Sequence, residues 1–464
     1  MKSLNHTTIL ATKPALAVQK QARRQADRQP PGKWTFFFLL LFTVAVYARP
    51  QDIFPSFDAL HLPLVLGICS GMAYLGGLLS GISSLYFPRE LQIVVLLTLW
   101  YLAGIPFAFW SNGSLQVFLQ IWVKTLVAFF LLSQTLFSLK RIRSLVWAII
   151  LCEFAVSAMT LIERKHAVWD GERLWGFNHG IFGWNYLGIA IAMTIPYLAV
   201  LFLSRRSLLR TAVMFGGCLC LMWMLVLTGS RSGPMIVTLS IVLTFFLILR
   251  HSSRSRITSF VVALILLMAL AEAPQVLWTR LGALWTNSDV TTDQVAASAE
   301  ESTRARIALL QSAIRYTFEH PLLGLGLGNF MVANGTQSGR ASSWAATHNT
   351  FIEISSEAGI PALCLFAGLL IIVIRNMSTI GKVWPADPAF LELPFMARAT
   401  LVSVVCFVFG GLFANLAYDY YVFYAIAIAV GLQRVARKLG SAPSIASEKR
   451  TRTAPLYPLA PALR

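Results

Sequence analysis

The side chains best suited to chemistry are arginines and a histidine from the middle of the sequence onwards, and the first of them is Arg231. It lies in a short turn between two apolar segments, with Gly229 before it and Gly233 and Pro234 after it. The glycines let the backbone approach a ligand closely, and the proline suits the first turn of the next helix. A guanidinium in such a turn can bind an anion, or it can extend to lipid headgroups instead.

A second arginine, Arg306, falls in a segment that the hydrophobic pattern predicts to be an amphipathic helix ending at Pro321. The apolar residues repeat at helical spacing from Ile307 onwards, at Leu310, Ile314 and Phe318. Arg306 falls within the apolar stripe formed by Ile307, Leu309, Leu310 and Ala313, whereas Arg304 falls on the polar face. Because a guanidinium on the buried side of a helix needs an anionic partner, Arg306 predicts an ion pair with the protein or with a substrate.

The histidine of interest is His348, which is followed by Asn349 and Thr350. Thr350 and Glu353 have the spacing of a capping box, so we expect a helix to begin at Thr350. His348 and Asn349 then lie just before a helix N-terminus, where the helix dipole favours anions. A histidine here can accept a proton from a substrate, or it can be an ordinary surface residue.

Three further residues could contact a substrate. Arg173 and Asn185 lie among aromatic residues in a polar segment, a mixture typical of sugar binding or of the membrane interface. Lys124 lies within an apolar segment and could bind phosphate or neutralise Glu153 or Glu357. No set of His, Asp and Glu at metal-ligand spacing is found outside the apolar segments, and all six cysteines fall inside them. We therefore predict no metal and no cofactor.

The composition indicates a lipid environment for the elements that position these residues. Of the 464 residues, 56% are hydrophobic and 12% are charged, about half the charged fraction of an average soluble protein. The apolar segments are long enough to cross a bilayer as helices, and none alternates with the period of a membrane β-strand. The fold class is therefore predicted to be an all-α polytopic membrane protein.

The net charge of +18 follows the distribution of basic residues expected of a membrane protein. Basic residues fill both tails and alternate short loops, which places both termini in the cytoplasm and does not indicate nucleic-acid binding. We predict twelve spans, at 34–48, 61–86, 91–110, 117–137, 145–163, 186–203, 211–228, 235–249, 257–273, 350–374, 398–418 and 420–433. The first span ends in a sequence like a signal-peptide cleavage site, and we expect it to be uncleaved because the basic arm before it is long.

These spans divide the chain into five predicted regions. A basic cytoplasmic tail (1–33) precedes transmembrane helices 1–9 (34–273), and a long periplasmic loop (274–349) contains the amphipathic helix. Transmembrane helices 10–12 (350–433) and a second basic cytoplasmic tail (434–464) complete the chain. Arg231, Arg306 and His348 all fall on the periplasmic side in this arrangement.

Taken in order, these residues resemble the O-antigen ligase family, whose membrane domain is shared with O-antigen polymerases and some protein O-oligosaccharyltransferases. Four stretches carry the resemblance, namely Arg173–Gly176 with Asn185, Ser230–Gly233, Arg306 with Pro321–Gly326, and His348–Asn349 with Glu353. The resemblance implies a C-type glycosyltransferase-like membrane fold in the bacterial inner membrane.

The resemblance also implies an activity in lipopolysaccharide biosynthesis. The family transfers a glycan from undecaprenyl diphosphate to a sugar hydroxyl of lipid A–core, without a metal ion or a nucleotide. A single displacement at the anomeric carbon would invert its configuration. Its two arginines and its histidine would fall on Arg231, Arg306 and His348. Leu310 stands where the family usually has an aromatic residue, so Arg304 remains an alternative to Arg306.

Three other functions remain open. An O-antigen polymerase would use the same donor, but it often has two comparable periplasmic loops. A protein O-oligosaccharyltransferase would typically carry an additional C-terminal periplasmic domain. A flippase for lipid-linked glycans would explain intramembrane charges such as Lys124, but not arginines and a histidine at one membrane surface.

Overall fold

The structure is a computed structural model of a helical bundle. It describes residues 32–50, 60–162, 168–170, 173–176, 184–204, 208–228, 230, 232–249, 294–339 and 344–440.

The described residues are almost entirely helical. The α-helices are α1 Lys33–Tyr47, α2 Leu62–Leu79, α3 Arg89–Gly104, α4 Ser111–Val117, α5 Val123–Thr135, α6 Leu139–Ile162, α7 Trp184–Ser204, α8 Leu208–Leu227, α9 Ser232–Thr244, α10 Gln294–Glu319, α11 Phe330–Ser338, α12 Thr350–Ile380, α13 Leu393–Gly410 and α14 Tyr420–Gly440. A π-helical segment, Phe118–Trp122, joins α4 to α5. Two short antiparallel strands, β1 Val168–Asp170 and β2 Arg173–Gly176, pair between α6 and α7.

Eight of the described helices are long and apolar enough to cross a membrane, and two shorter apolar helices accompany them. The predicted class, an all-helical polytopic membrane protein, is therefore confirmed. Every predicted span except 257–273 overlaps a described helix, and that span lies outside the described residues. The number of twelve spans and the long periplasmic loop stay predictions.

One predicted span ends too late. The apolar sequence suggested a helix over 398–418, but α13 ends at Gly410 and residues 411–419 form a loop before α14. The loop is held by hydrogen bonds to the start of α12, including one of 2.7 Å from the Thr350 N–H to the Gly411 carbonyl. Satisfying these backbone groups locally allows the helix to end within an apolar sequence.

A break in α12 organises the region around it. Gly359 lies in the left-handed region, with φ of 83°, inside this otherwise continuous helix. The N–H of Ile360 donates to the Pro321 carbonyl at 2.8 Å, so the segment after α10 docks into the break. A Cβ atom on Gly359 would lie 1.9 Å from the Leu322 carbonyl oxygen, which leaves no room for any other residue.

The Gly-x-Gly-x-Gly sequence forms the rest of this junction. Gly324, Gly326 and Gly328 all have positive φ, and the Gly326 N–H donates to the Glu357 carbonyl at 2.8 Å. The Glu357 carboxylate accepts from the N–H groups of Gly328 and Phe330, at 2.7 and 3.1 Å. The junction therefore fixes α10 against α12, which carry Arg306 and the His348 segment respectively.

The predicted apolar face of α10 is confirmed at Leu309 and Ala313 and is wrong at Ile307, Ile314 and Phe318. The helix packs through Leu309, Ala313 and Tyr316, whereas Phe318 is 73% exposed and Ile307 and Ile314 are also exposed. The small Ala313 allows close packing, and Tyr316 packs edge-on against Phe330 of α11. Apolar composition alone cannot distinguish a helix face that packs against protein from one that lipid can cover. The hydrophobic pattern of α10 therefore predicted burial for residues that are exposed.

Candidate active site

His348 lies two residues before α12 in a strained backbone conformation. Its φ of 53° is in the left-handed region, which is uncommon for a residue other than glycine. Its N–H donates a hydrogen bond of 2.9 Å to Oδ1 of Asn415, in the loop 411–419. Such strain persists where surrounding contacts hold it, and it is concentrated at functional sites.

Asn415 is a residue that the sequence did not single out. Its Nδ2 donates to Oγ1 of Thr347 at 2.9 Å. The side-chain amide of Asn415 therefore bonds both the Thr347 hydroxyl and the His348 N–H. Next to it, Thr350 Oγ1 donates to the Ala414 carbonyl at 2.8 Å. The only signal in the sequence is the polar pair Asn415 and Asp419 within an otherwise apolar stretch.

Asn349 is the N-cap of α12, so the predicted helix start at Thr350 is confirmed. The capping residue itself was predicted one position too late. Oδ1 of Asn349 accepts from the N–H groups of Phe351 and Ile352, at 3.0 and 3.1 Å. Glu353 does not complete a capping box, because its carboxylate accepts from the Ala417 N–H at 3.3 Å. For Asn349, only the amide nitrogen remains available to a substrate.

The electrostatics of the site connect His348 to Arg306. Burial, and after it the positive charge of Arg306, lower the pKa of His348 to about 4. The imidazole is therefore neutral at pH 7 and can accept a proton. Arg306 is half-buried, one turn before Leu309 on the packed face of α10, whereas Arg304 is exposed. This placement favours Arg306 over Arg304 as the arginine that shares a site with His348.

Arg231 lies outside the described residues, but its neighbours are described. Ser230 and Ser232 are buried and their hydroxyl groups lie 3.2 Å apart. Gly233 packs against Gly188 of α7 so closely that a Cβ atom on Gly188 would lie 2.5 Å from the Gly233 Cα. Gly233, the second residue of α9, is thus packed directly against α7.

Arg173 and Asn185 lie in neighbouring parts of the chain. Arg173 is the first residue of β2 and is opposite Asp170 of β1. Asn185 is the second residue of α7, and Tyr186, which follows it, lines a cavity in the bundle. The structure therefore places Asn185 next to the cavity wall.

This cavity has a volume of about 400 Å³ and includes Lys124 in its lining. Its other polar side chains are Arg49, Gln120, Thr125, Tyr186, Asp419, Tyr420 and Tyr424. Burial raises the pKa of the Asp419 carboxyl to about 6, against the opposing effects of the Tyr420 N–H and of Arg49. Neither alternative partner of Lys124 pairs with it among the described residues, because Glu153 accepts from Thr194 and Glu357 from the glycine junction.

The cavity and the His348 segment belong to the same end of the bundle. Asp419 and Asn415 lie in one short loop, and Thr125 Oγ1 donates to the Tyr418 carbonyl of that loop at 3.1 Å. The Tyr420 hydroxyl also reaches the Val46 carbonyl near the end of α1, at 3.4 Å. No cluster of three or more His, Cys, Asp or Glu side chains that could hold a metal ion is found in the part of the chain described.

A bundle in which eight of the described helices are long and apolar enough to cross a membrane defines a multi-pass membrane protein. Residues 216–367 match the family described as O-antigen ligase. The predicted resemblance to this family is confirmed, and a glycosyltransferase-like activity follows from it in general terms. The match includes Arg231, Arg306 and His348. No curated protein matches the chain.

Proposed function

We propose that this protein is an O-antigen ligase, which transfers a glycan from undecaprenyl diphosphate to a sugar hydroxyl of lipid A–core at the periplasmic face of the inner membrane. The observation that carries the proposal is His348, which a backbone hydrogen bond to Asn415 fixes in a left-handed conformation and whose pKa is lowered by burial and by the charge of Arg306. The family match over residues 216–367 supports the same class of reaction.

In the proposed reaction, His348 takes the proton of the acceptor hydroxyl as its oxygen attacks the anomeric carbon of the donor glycan. The bond from that carbon to the diphosphate oxygen breaks, and its electron pair leaves with the lipid diphosphate. Arg306 and Arg231 bind the diphosphate oxygens and stabilise the charge that develops on them. A single displacement of this kind inverts the anomeric configuration and uses no metal ion.

The charge of the donor also adjusts the basicity of His348. Without a ligand, burial and Arg306 hold the pKa of His348 near 4, which makes it a weak base. A diphosphate bound to Arg306 adds negative charge close to the imidazole and raises its pKa. His348 therefore becomes a stronger base when the donor is in place, which favours transfer over unproductive protonation of the free enzyme.

The contacts at the opposite end of the bundle support the periplasmic assignment of the site. Arg143, near the start of α6, pairs with Glu392 just before α13. Because α13 starts at this end and stops beside His348, the basic segment at the start of α6 is on the face opposite to His348. Basic residues favour the cytoplasmic face, so His348 and the cavity face the periplasm.

The decisive experiment supplies purified protein with undecaprenyl-diphosphate glycan and either lipid A–core or free glycan as acceptor. We expect the glycan to be transferred to lipid A–core, and we expect His348→Ala to abolish the transfer. Elongation of free glycan alone would identify an O-antigen polymerase, which shares the donor. Movement of the donor across the bilayer without transfer would identify a flippase.

A further inference from the structure

The helix α10 has a second apolar face, on the side opposite to the one that packs against protein. Ile307, Ile314 and Phe318 follow one another at intervals of seven and four residues, which places them within about 40° of one another around the helix axis. All three side chains are exposed, whereas Leu309 and Tyr316 on the other side of the helix are buried. We call the three exposed residues the outer stripe.

A polar face adjoins the outer stripe along the helix. It consists of exposed side chains, namely Arg304, Gln311, Arg315 and Glu319. Arg315 pairs with Glu319 at 3.5 Å. The helix is not among the eight described helices that are apolar enough to cross a membrane. A helix with an apolar stripe beside a charged face is typical of helices that lie in the plane of a membrane surface.

Contacts at the end of α10 fix its depth relative to the membrane. The turn between α3 and α4 joins two of the candidate spans, Arg89–Phe107 and Ser111–Thr135, and therefore lies at a membrane surface. The N–H of Phe109 in this turn donates to the Leu325 carbonyl at 2.7 Å. The segment that follows α10 thus packs directly on the turn, and the C-terminal end of α10 lies at the same level.

Exposed apolar side chains continue from the outer stripe into this region. Leu322, three residues after the end of α10, is 65% exposed, although its backbone contacts Gly359 within α12, another candidate span. Phe107, Phe109 and Trp110 in the turn between α3 and α4 are exposed as well. Aromatic residues at the ends of spans are typical of the interface between lipid and water. The apolar phase available at this depth is the bilayer.

We infer that α10 is an interfacial helix, whose outer stripe contacts the lipid acyl chains at the surface of the membrane that the protein spans. The exposed Arg304 and Arg315 then face the lipid headgroups, where long basic side chains are favoured. The opposite side of α10 remains packed on α11 and α12. The helix that carries Arg306 is therefore held from one side by protein and from the other by lipid.

The test identifies what the outer stripe contacts in the full-length protein, reconstituted in phospholipid nanodiscs. The photoreactive residue p-benzoylphenylalanine replaces Phe318 in one variant and Glu319 in the other. Glu319 is the matched control, because it is also exposed and lies next in the chain but about 100° further around the helix. After irradiation, we expect mass spectrometry to detect a covalent lipid adduct at position 318, in a yield roughly five-fold or more above that at position 319.

Two results of this experiment would overturn the inference. Equal yields of lipid adduct at the two positions would show that the outer stripe has no preferred contact with lipid. An adduct between position 318 and another segment of this chain, or a second copy of it, would show that protein covers the stripe.

Hydrogen exchange in the same nanodiscs provides the second measurement. The double variant Ile314→Asn, Phe318→Asn removes apolar contact from exposed side chains, so the amides of α10 should exchange roughly ten-fold faster if lipid holds the helix. The amides of α12 should be unaffected. Val383→Asn, at an exposed position between α12 and α13, is the control and should leave exchange in α10 unchanged.

Unchanged exchange in α10 of the double variant would contradict the inference, and so would faster exchange in α10 and α12 alike, which indicates a loss of the fold and not of a lipid contact. Neither measurement involves glycan transfer. The result is therefore independent of the proposed function.

Discussion

The backbone N–H of His348 and the side chain of Asn415 form a hydrogen bond of 2.9 Å between residues 67 positions apart in the chain. The contact joins the entrance of α12 to the loop between α13 and α14, and it holds His348 in a conformation that few side chains adopt. The same loop carries Asp419 to the cavity. Asn415 is therefore the residue through which the loop 411–419 holds the backbone of His348.

We predict that Asn415→Ala lowers glycan transfer by roughly ten-fold or more without removing the donor site, because the His348 N–H loses its acceptor and the strained conformation relaxes. Asn415→Asp keeps the acceptor oxygen but loses the donor to Thr347, so its loss should be smaller. The measurement is transfer to lipid A–core as a function of pH. A positioning role requires the pH profile to change as well as the rate.

The control is Asn376→Ala. Asn376 also donates a side-chain hydrogen bond, to Glu90, but towards the far end of α12. It should lower thermal stability without altering the pH profile. If both variants lower the rate with the same pH profile, Asn415 stabilises the fold and does not position His348.

Arg306→Gln should raise the pKa of His348. A nearby positive charge disfavours protonation of the imidazole, so its removal moves the pKa up from about 4 towards the ordinary value near 6.5. Burial remains, so the value should not reach 6.5. The titration can be followed by NMR of histidine-labelled protein, with His348→Ala to assign the signal.

Arg304→Gln is the matched control for this titration, because Arg304 is exposed and two residues away on the same helix. An unchanged His348 signal in Arg306→Gln, together with a shift in Arg304→Gln, would assign the loop arginine of the site to Arg304.

A third prediction concerns the break in α12. Gly359→Ala places a methyl group within the van der Waals radius of the Leu322 carbonyl oxygen and forces a left-handed conformation on a residue with a Cβ atom. We expect a melting temperature lower by several degrees, with a loss of roughly 2 kcal/mol or more in the free energy of unfolding. Gly368→Ala, where a Cβ atom meets nothing within 4 Å, should be close to neutral. Equal melting temperatures for the two variants would show that the junction is not tightly packed.

The sequence predicted the helices well because membrane spans depend on local composition. Eleven of the twelve predicted spans overlap a described helix, because apolar length is a local property. The start of α12 at Thr350 was also predicted, although Asn349 and not Thr350 is its N-cap. Arg306 and His348 could also be proposed as site residues from the sequence. A guanidinium on the apolar side of a helix and a histidine just before a helix are both unusual within a short stretch of sequence.

The remaining parts of the site depend on contacts between distant segments. The sequence of the loop 411–419 predicts a helix, because Leu412, Phe413 and Ala414 continue the apolar composition of α13. The end of the helix is set by hydrogen bonds between this loop and Thr350, which the local sequence does not predict. Arg49 and Lys124 are separated along the chain, and nothing local in either segment predicts a shared cavity. Contacts between residues so far apart in the chain are determined by the whole fold.

A fourth prediction is that transfer survives chelators. In the proposed reaction, guanidinium groups stabilise the leaving diphosphate, a role that a divalent cation fulfils in other enzymes. Transfer measured in EDTA should therefore equal transfer in the presence of Mg²⁺. Loss of activity in EDTA that Mg²⁺ or Mn²⁺ restores would contradict the proposed phosphate binding by Arg231 and Arg306.

The last prediction concerns the chemistry of Arg231, and its two substitutions separate two roles. If Arg231 only extends to lipid headgroups or sets the topology, lysine should replace it, because lysine keeps the charge on a flexible stem. If Arg231 instead binds the diphosphate through its planar fork, Arg231→Lys loses one of two parallel hydrogen bonds and should be nearly as damaging as Arg231→Ala. Losing one such bond at the transition state lowers the rate by roughly 10²–10³.

The measurement is transfer to lipid A–core by equal amounts of folded, membrane-inserted Arg231→Lys and Arg231→Ala. His348→Ala is the companion variant, and it should lower the rate to a similar level while leaving donor binding nearly intact, because its role is to remove a proton. Donor affinity thus distinguishes the two residues, since it should fall for the Arg231 variants but not for His348→Ala. Near-normal transfer by Arg231→Lys would show that the positive charge at this position is sufficient. Other residues would then have to bind the diphosphate through paired hydrogen bonds.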